Sequence, residues 1–220
     1  RAGVASARNR LAGPVRVAAI YSVGLHDMSR HMQPFMAAYP QAKVQLECLH
    51  PHKVVEAVIN DEADVGIMSY PPAHRGLAVI PWQSEQMVLV CHPSHRLARR
   101  RTVRADELQG ENFVSFDPDL EIRKAIDRAL KQRNVKVNVV MEFDNIETIK
   151  QAISIAAGVS ILPKPTVLKE IGIRTLAALP LDVPDLVRPV GIIYRRRKQL
   201  SPIVARFVES LQKTGNRAEE

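Results

Sequence analysis

The sequence predicts an α/β protein of two similar lobes, each built in the order strand, helix, strand, helix, strand. Three observations carry this. Runs that alternate or are wholly apolar, such as VRVAAIY, KVQLECL and DVGIMSY, are separated by stretches whose apolar residues recur at helical spacing. The pattern then starts again after Pro93. Finally, residues 141–165 read within one short stretch as strand end, turn, amphipathic helix, glycine stop and second strand. That is a β-α-β unit, for which a right-handed crossover is expected.

Taken in order, residues 1–13 show no hydrophobic period and read as a linker remnant. VRVAAIY (15–21) is a strand, and SVGLHD a turn leading into a helix to Tyr39 that carries Met28, Met32 and Met36 four apart. Pro34 inside it predicts a kink or a late helix start, because proline removes a backbone hydrogen bond. KVQLECL (43–49) is a strand, KVVEAVIND a helix and DVGIMSY (64–70) a strand, with LAVIPW (77–82) and QMVLVCH (86–92) two further strands. Beyond the arginine-rich loop come a short helix at Ala105 to Leu108, the strand NFVSF and the helix of Leu120 to Arg133. In that helix Ile122, Ala125, Ile126, Ala129 and Leu130 form the apolar stripe, with Asp119 at its start.

VKVNVVMEF is the next strand. In the stretch that follows, Asp144 is expected to cap the helix with Glu147 completing a capping box, and Lys150 to lie on the polar face. Gly158 is expected in the left-handed position after that helix, before the buried strand Val159 to Leu162. Strands over 173–179 and 186–194 follow, and a last helix has Ser201 as cap and Pro202 at its first position. The expected division is lobe I over 14–91 and 190–213, lobe II over 92–189, and a tail over 214–220.

Two cysteines, Cys48 and Cys91, make no disulfide framework and read as buried free thiols. The formal charge of +8 sits mainly in HRLARRRTVR, YRRRK and the first ten residues. With aromatics at only 5%, neither internal cluster carries the interleaved rings that stack on bases. No apolar run is long enough to span a bilayer and no secretory leader is visible, so an intracellular, cytoplasmic protein is expected. Cys48, His50 and His52 alternate as metal ligands on one strand face would, but Pro51 interrupts the strand and no metal site is expected. G-x-S-x-G, Walker and G-x-G-x-x-G motifs are absent, and Asp117, Asp119 and Asp144 lie at turns. No catalytic residue and no cofactor are therefore expected. Strand ends followed by helix starts are where open α/β sheets hold ligands, and the helix N-termini favour an anion.

The stretches PFMAAYPQAKVQLE, INDEADVGIM, MVLVCHPSHRLARRRTV, EFDNIETIKQAISIAAGVSILP and GIIYRRRKQLSPIVARFVESL, in this order, resemble the effector-binding domain of LysR-type transcriptional regulators. The likeness runs from about Val15 to Leu211. It implies a type 2 periplasmic-binding-protein-like fold, with two Rossmann-like lobes joined by two crossover strands and an inducer cleft. It also implies ligand contacts at Ser22 and Val23, at His50 and His52 where the family commonly has Asn-Thr or Ser, and at Ser69, Ser115, Phe116, Asn145 and Ile146. The implied partners are a small-molecule effector, a carboxylate or other anion, and a second copy in an antiparallel homodimer, a tetramer in the full-length protein. In that dimer the helix of Met28, Met32 and Met36 would pack near the partner's helix of Ile122 and Ile126. Operator DNA would be reached only through a winged helix-turn-helix that is not in this chain. A transporter's solute-binding protein of the same fold is the alternative.

Overall fold

The computed structural model describes residues 11–215, so most of the expected linker and of the expected tail, residues 1–10 and 216–220, lies outside the described residues. The elements are β1 (Gly13–Ile20), α1 (Tyr21–His26), α2 (Met28–Ala38), β2 (Ala42–Leu49), α3 (Pro51–Ile59), β3 (Val65–Ser69) and β4 (Leu77–Cys91). There follow β5 (Asn112–Phe116), α4 (Glu121–Gln132), β6 (Asn138–Phe143), α5 (Ile146–Ser154), β7 (Ser160–Pro163), α6 (Leu168–Gly172), β8 (Ala177–Pro180), β9 (Val187–Arg195) and α7 (Pro202–Gly215). Single 3₁₀ turns occupy Arg96–Arg99, Ala105–Leu108 and Lys164–Val167.

The chain divides into two compact units, one of residues up to Gln83 together with those from Pro189 on, the other Ser84–Arg188. The chain therefore changes unit inside β4 and β9. The first crossing was expected near Cys91 and falls earlier, because LAVIPW and QMVLVCH are one continuous strand, Leu77–Cys91. Pro81 does not break it, since a strand tolerates proline wherever that residue's N–H is not needed for pairing.

In the first unit β1 pairs in parallel with β2 and with β3, and β3 pairs antiparallel with β9. Val17, Ile67, Phe35, Ile192 and Phe207 lie in its core. The Phe35 and Phe207 rings meet edge to face with centroids 5.1 Å apart, which joins α2 to α7. Trp82 Nε1 donates to Leu211 O at 2.9 Å, so the buried indole keeps a partner while filling the core. SVGLHD, expected as a turn, is most of α1. Gly24 allows this helix to lie on β2, since a Cβ there would collide with Cys48 Sγ. The helix α2 starts at Met28 and runs through Pro34, contrary to a late start.

In the second unit β5 and β6 are parallel, and β7 and β8 pair antiparallel with β4. Val159 bridges to Phe113 in parallel, so β5 lies between β6 and the start of β7 in the expected β-α-β unit. The strand expected over 173–179 is shorter: α6 and its end take residues up to Ile173, and β8 begins at Ala177. Ile126, Ile149, Phe113, Leu89 and Ile161 are fully buried here. Two corrections concern α5. Its cap is Asn145, whose Oδ1 accepts from Thr148 N at 2.9 Å, while Asp144 only accepts from Asn145 Nδ2, and Glu147 pairs with Lys150 instead of closing a capping box. The left-handed residue after α5 is Ala156, at φ 59°, and not Gly158. Gly158 is required for a different reason: a Cβ there would stand 2.5 Å from Asn112 O, against the backbone of β5.

Candidate functional site at the strand ends

In the first unit the C-terminal ends of β1, β2 and β3 lie at one edge, because the strands are parallel and Ile20 registers with Leu49 and Ala19 with Ile67. Ser22 lies in the first turn of the helix that leaves β1, His50 is the N-cap residue of the helix that leaves β2, and Ser69 ends β3. The parallel register thus brings Ser22, His50, His52 and Ser69 to the same edge. Ser22, His50 and Ser69 are half-buried and His52 is exposed, whereas Val23 is fully buried and serves the core. Pro51 at the first position of α3 supplies a preset helical φ, and it holds His50 in extended backbone as the residue before a proline. The His50 side chain makes no capping bond; its Nδ1 instead lies 2.6 Å from His52 Nδ1.

In the second unit β5 ends at Phe116 and β6 at Phe143, and Asp117 N donates to Phe143 O at 2.9 Å. Asn145 then opens α5 with its side chain committed to Thr148 N and, at 3.0 Å, to Thr148 Oγ1. Phe116 and Ile146 are 3% and 5% exposed and pack as core. Ser115 is 1% exposed, and its Oγ has no hydrogen-bond partner, a condition Ser160 Oγ shares. A buried hydroxyl without a partner costs free energy unless something polar meets it. Of the residues expected at the strand ends of this unit, Ser115 is the one whose buried polar group is left without a hydrogen-bond partner.

Sequence reasoning missed the groups that hold these ends. Arg123 on α4 donates to Phe116 O at 2.6 Å and to Glu142 Oε1 at 2.9 Å, and it pairs with Asp127 one turn on. Burial opposes its charge, but the Glu142 and Asp127 carboxylates overcome this and raise its pKa. Its i, i+4 spacing to Asp127 was the available signal. Lys150, expected on the polar face, is buried, with Nζ on Thr166 O at 3.0 Å, Glu170 Oε1 at 2.8 Å and Glu147 Oε1 at 2.9 Å. Cys91 is buried and Cys48 half-buried; burial raises the Cys91 thiol to about 11 and also raises Cys48, so neither presents a thiolate. Among the described residues no group of three or more His, Cys, Asp or Glu is placed to hold a metal ion, and no helix is long and apolar enough to cross a membrane.

Of the helix residues expected at a dimer contact, Met28, Ile122 and Ile126 are buried within their own units. Met32 is half-buried, and Met36 is 46% exposed.

The LysR substrate binding domain family matches residues 8–216. The chain is 25% identical over 218 residues to the probable RuBisCO transcriptional regulator of Phaeodactylum tricornutum, covering 96% of this chain and 71% of that protein. It is 26% identical over 210 residues to the protein of the same description in Synechocystis sp., covering 93% of this chain and 61% of that one. Among solved structures, the regulatory domain of Synechocystis CcmR in complex with 2-PG superposes with a TM-score of 0.83 at 27% identity, over 92% of this chain and 97% of that one. The effector binding domain of QuiR in complex with shikimate gives 0.84 at 17% identity, over 94% and 99%, a likeness of fold. With parallel strand ends feeding helices in both units and the family match spanning nearly all of its length, this chain belongs to the LysR substrate-binding domain family, the regulatory, ligand-binding part of LysR-type transcriptional regulators.

Proposed function

We propose that this domain senses a small anion, a carboxylate or a phosphorylated acid, and that it does so without transforming it. The observation that carries the reading is the Ser115 hydroxyl, buried and unpartnered at the end of β5. It is supported by the CcmR domain, whose structure holds 2-PG. The strand-end contacts proposed for each unit are Ser22, His50, His52 and Ser69 in the first, and Ser115 with the Asn145 cap in the second. Val23, Phe116 and Ile146 shape these ends from beneath. Effector binding changes regulation through its different affinity for two arrangements of the protein. We take the working unit to be a cytoplasmic homodimer, tetrameric when full length, that reaches operator DNA through a helix-turn-helix domain.

Thermal-shift titration with 2-PG, shikimate and benzoate tests this. The effector should raise the melting temperature, adding about 2.7 kcal/mol at a hundred times its Kd. Ser115→Ala should remove most of that gain while leaving the ligand-free melting temperature unchanged or higher. If none of these anions stabilises the chain, the reading is wrong.

A further inference from the structure

Arg195, Arg196 and Arg197 stand at the end of β9 in one tight turn, closed by Lys198 N donating to Arg195 O at 2.9 Å. Such turns are ordinarily built from Gly, Pro, Asn, Asp or Ser, and adjacent guanidiniums repel one another, so the fold itself gives no reason for three arginines. All three are exposed. Arg196 N donates to Gly76 O at 2.9 Å, and its Nε and Nη2 donate to Leu77 O at 3.1 and 3.0 Å. That fixes the turn against the segment that carries the exposed Arg75.

The carboxylates beside the turn are already engaged. Asp64 is held by Arg16 and Lys198, and Asp61 by the same two cations. Arg195 makes no bond to Asp61 and acts on it only through space. Arg75 and Arg197 have no side-chain partner among the described residues, and Arg196 is bonded to a neutral carbonyl. Across these segments four arginines therefore remain against the exposed Glu62 alone. The other arginine cluster differs, since Arg96 pairs with Glu111, Arg100 with Glu107 and Arg104 with Asp106.

Val17 registers in parallel with Val65, and Gly66 antiparallel with Ile193, so the end of β9 lies beside the beginnings of β1 and β3. This is the sheet edge opposite the one that holds Ser22, His50 and Ser69, and the chain enters β1 there.

We infer that Arg75, Arg195, Arg196 and Arg197 form a sequence-independent contact for the phosphate backbone of duplex DNA. Guanidinium groups match phosphate oxygens as two-pronged donors. The turn has no interleaved ring to stack on single-stranded bases, and none of the exposed large apolar side chains lies on these segments to enter a bilayer. The inference rests on the reading above that the domain works beside a helix-turn-helix domain. Joined ahead of β1, that domain would bring a duplex to this edge, where backbone contacts add affinity without selecting sequence.

Fluorescence anisotropy of the whole chain with a labelled duplex of random sequence tests it. Three to four phosphate contacts should lower the affinity about 40–150-fold between about 50 and 200 mM salt, equally for unrelated sequences. Arg75→Gln, Arg195→Gln and Arg197→Gln should each reduce the slope of log affinity against log salt by about 0.9, and the three together should abolish binding, with circular dichroism unchanged. Arg99→Gln with Arg101→Gln should leave it intact. Absence of binding at the lower salt, binding that survives the triple substitution, or tighter binding to phosphatidylserine vesicles than to the duplex overturns the inference. Each of these leaves the anion-sensing and helix-turn-helix readings standing, because neither requires this turn.

Discussion

Glu85 and Arg188, 103 residues apart in sequence, meet with Nε 2.6 Å and Nη2 2.5 Å from Glu85 Oε2, both side chains almost wholly buried. They tie β4 to β9 within the second unit, next to both points where the chain changes unit. A buried pair is weak evidence of net stabilisation, but removing one partner strands the other's charge. Arg188→Met should cost about 3–5 kcal/mol in urea unfolding, and adding Glu85→Gln should return part of it. A single substitution costing under about 1 kcal/mol would mean that the pair is hydrated.

Lys150 poses the same question with a wetter partner set. Its Nζ is buried against Thr166 O and Glu170 Oε1, and Glu147 stays partly exposed. Lys150→Met should therefore cost about 2 kcal/mol, less than the loss of Arg188. Glu170→Gln in the Lys150→Met background should recover some of it, read as a double-mutant cycle.

The turn after α5 separates two explanations for Gly158 by experiment. Ala156→Gly should stabilise the chain by up to about 1 kcal/mol, since the left-handed backbone penalises alanine. Gly158→Ala should destabilise by at least about 1–3 kcal/mol, since its Cβ would press on Asn112 O. Had Gly158 held the left-handed position, Ala156→Gly would bring no gain.

Asp64 gives the first unit a pH-dependent contribution to stability. Burial alone would raise its pKa, but hydrogen bonds from Arg16 N and Nη2 at 2.8 Å, and from Lys198 at 2.8 Å, bring it down to about 2. A carboxylate lowered on folding contributes stability that is whole above its unfolded pKa of about 3.9 and disappears as pH falls through its folded value. Asp64→Asn should thus lower the melting temperature by several degrees at neutral pH. The gap to the parent should narrow between about pH 4 and pH 2. An unchanged gap over that window would show that the loss is one of packing.

Met36 is the cleaner probe of the proposed dimer, because Met32 is also packed against the core of its own unit. Met36→Glu should give monomers by light scattering with an unchanged melting temperature. A persisting dimer would place the contact elsewhere, for which the exposed Val139, Val140 and Met141 on β6 are the next surface to change.

Element order was legible because periodicity records burial within one element. VGIMS of β3 is nearly continuous and almost wholly buried, and the stripe of Ile122, Ile126, Ala129 and Leu130 faces inward as its spacing requires. What failed depends on residues far apart in sequence. Lys150 reads as a surface lysine until Glu170 and Thr166 are brought to it, and LAVIPW and QMVLVCH read as two strands until the uninterrupted β4 is seen. Asp144 and Asn145 are equally good caps on paper, and only the backbone angles choose between them. For the site, strand ends could be located from the order of elements. Which residues there keep a polar atom to spare could not: Asn145 spends its own on Thr148, and Ser115 does not.

An unbroken β4 also limits how this protein can change length. Along a strand the side chains alternate in orientation, so deleting one residue between Leu77 and Met87 would turn Val88, Leu89 and Val90 over against β7 and β8. Loops such as those around Gly76 or Gly110 can absorb such a deletion. This segment can lose residues only in pairs.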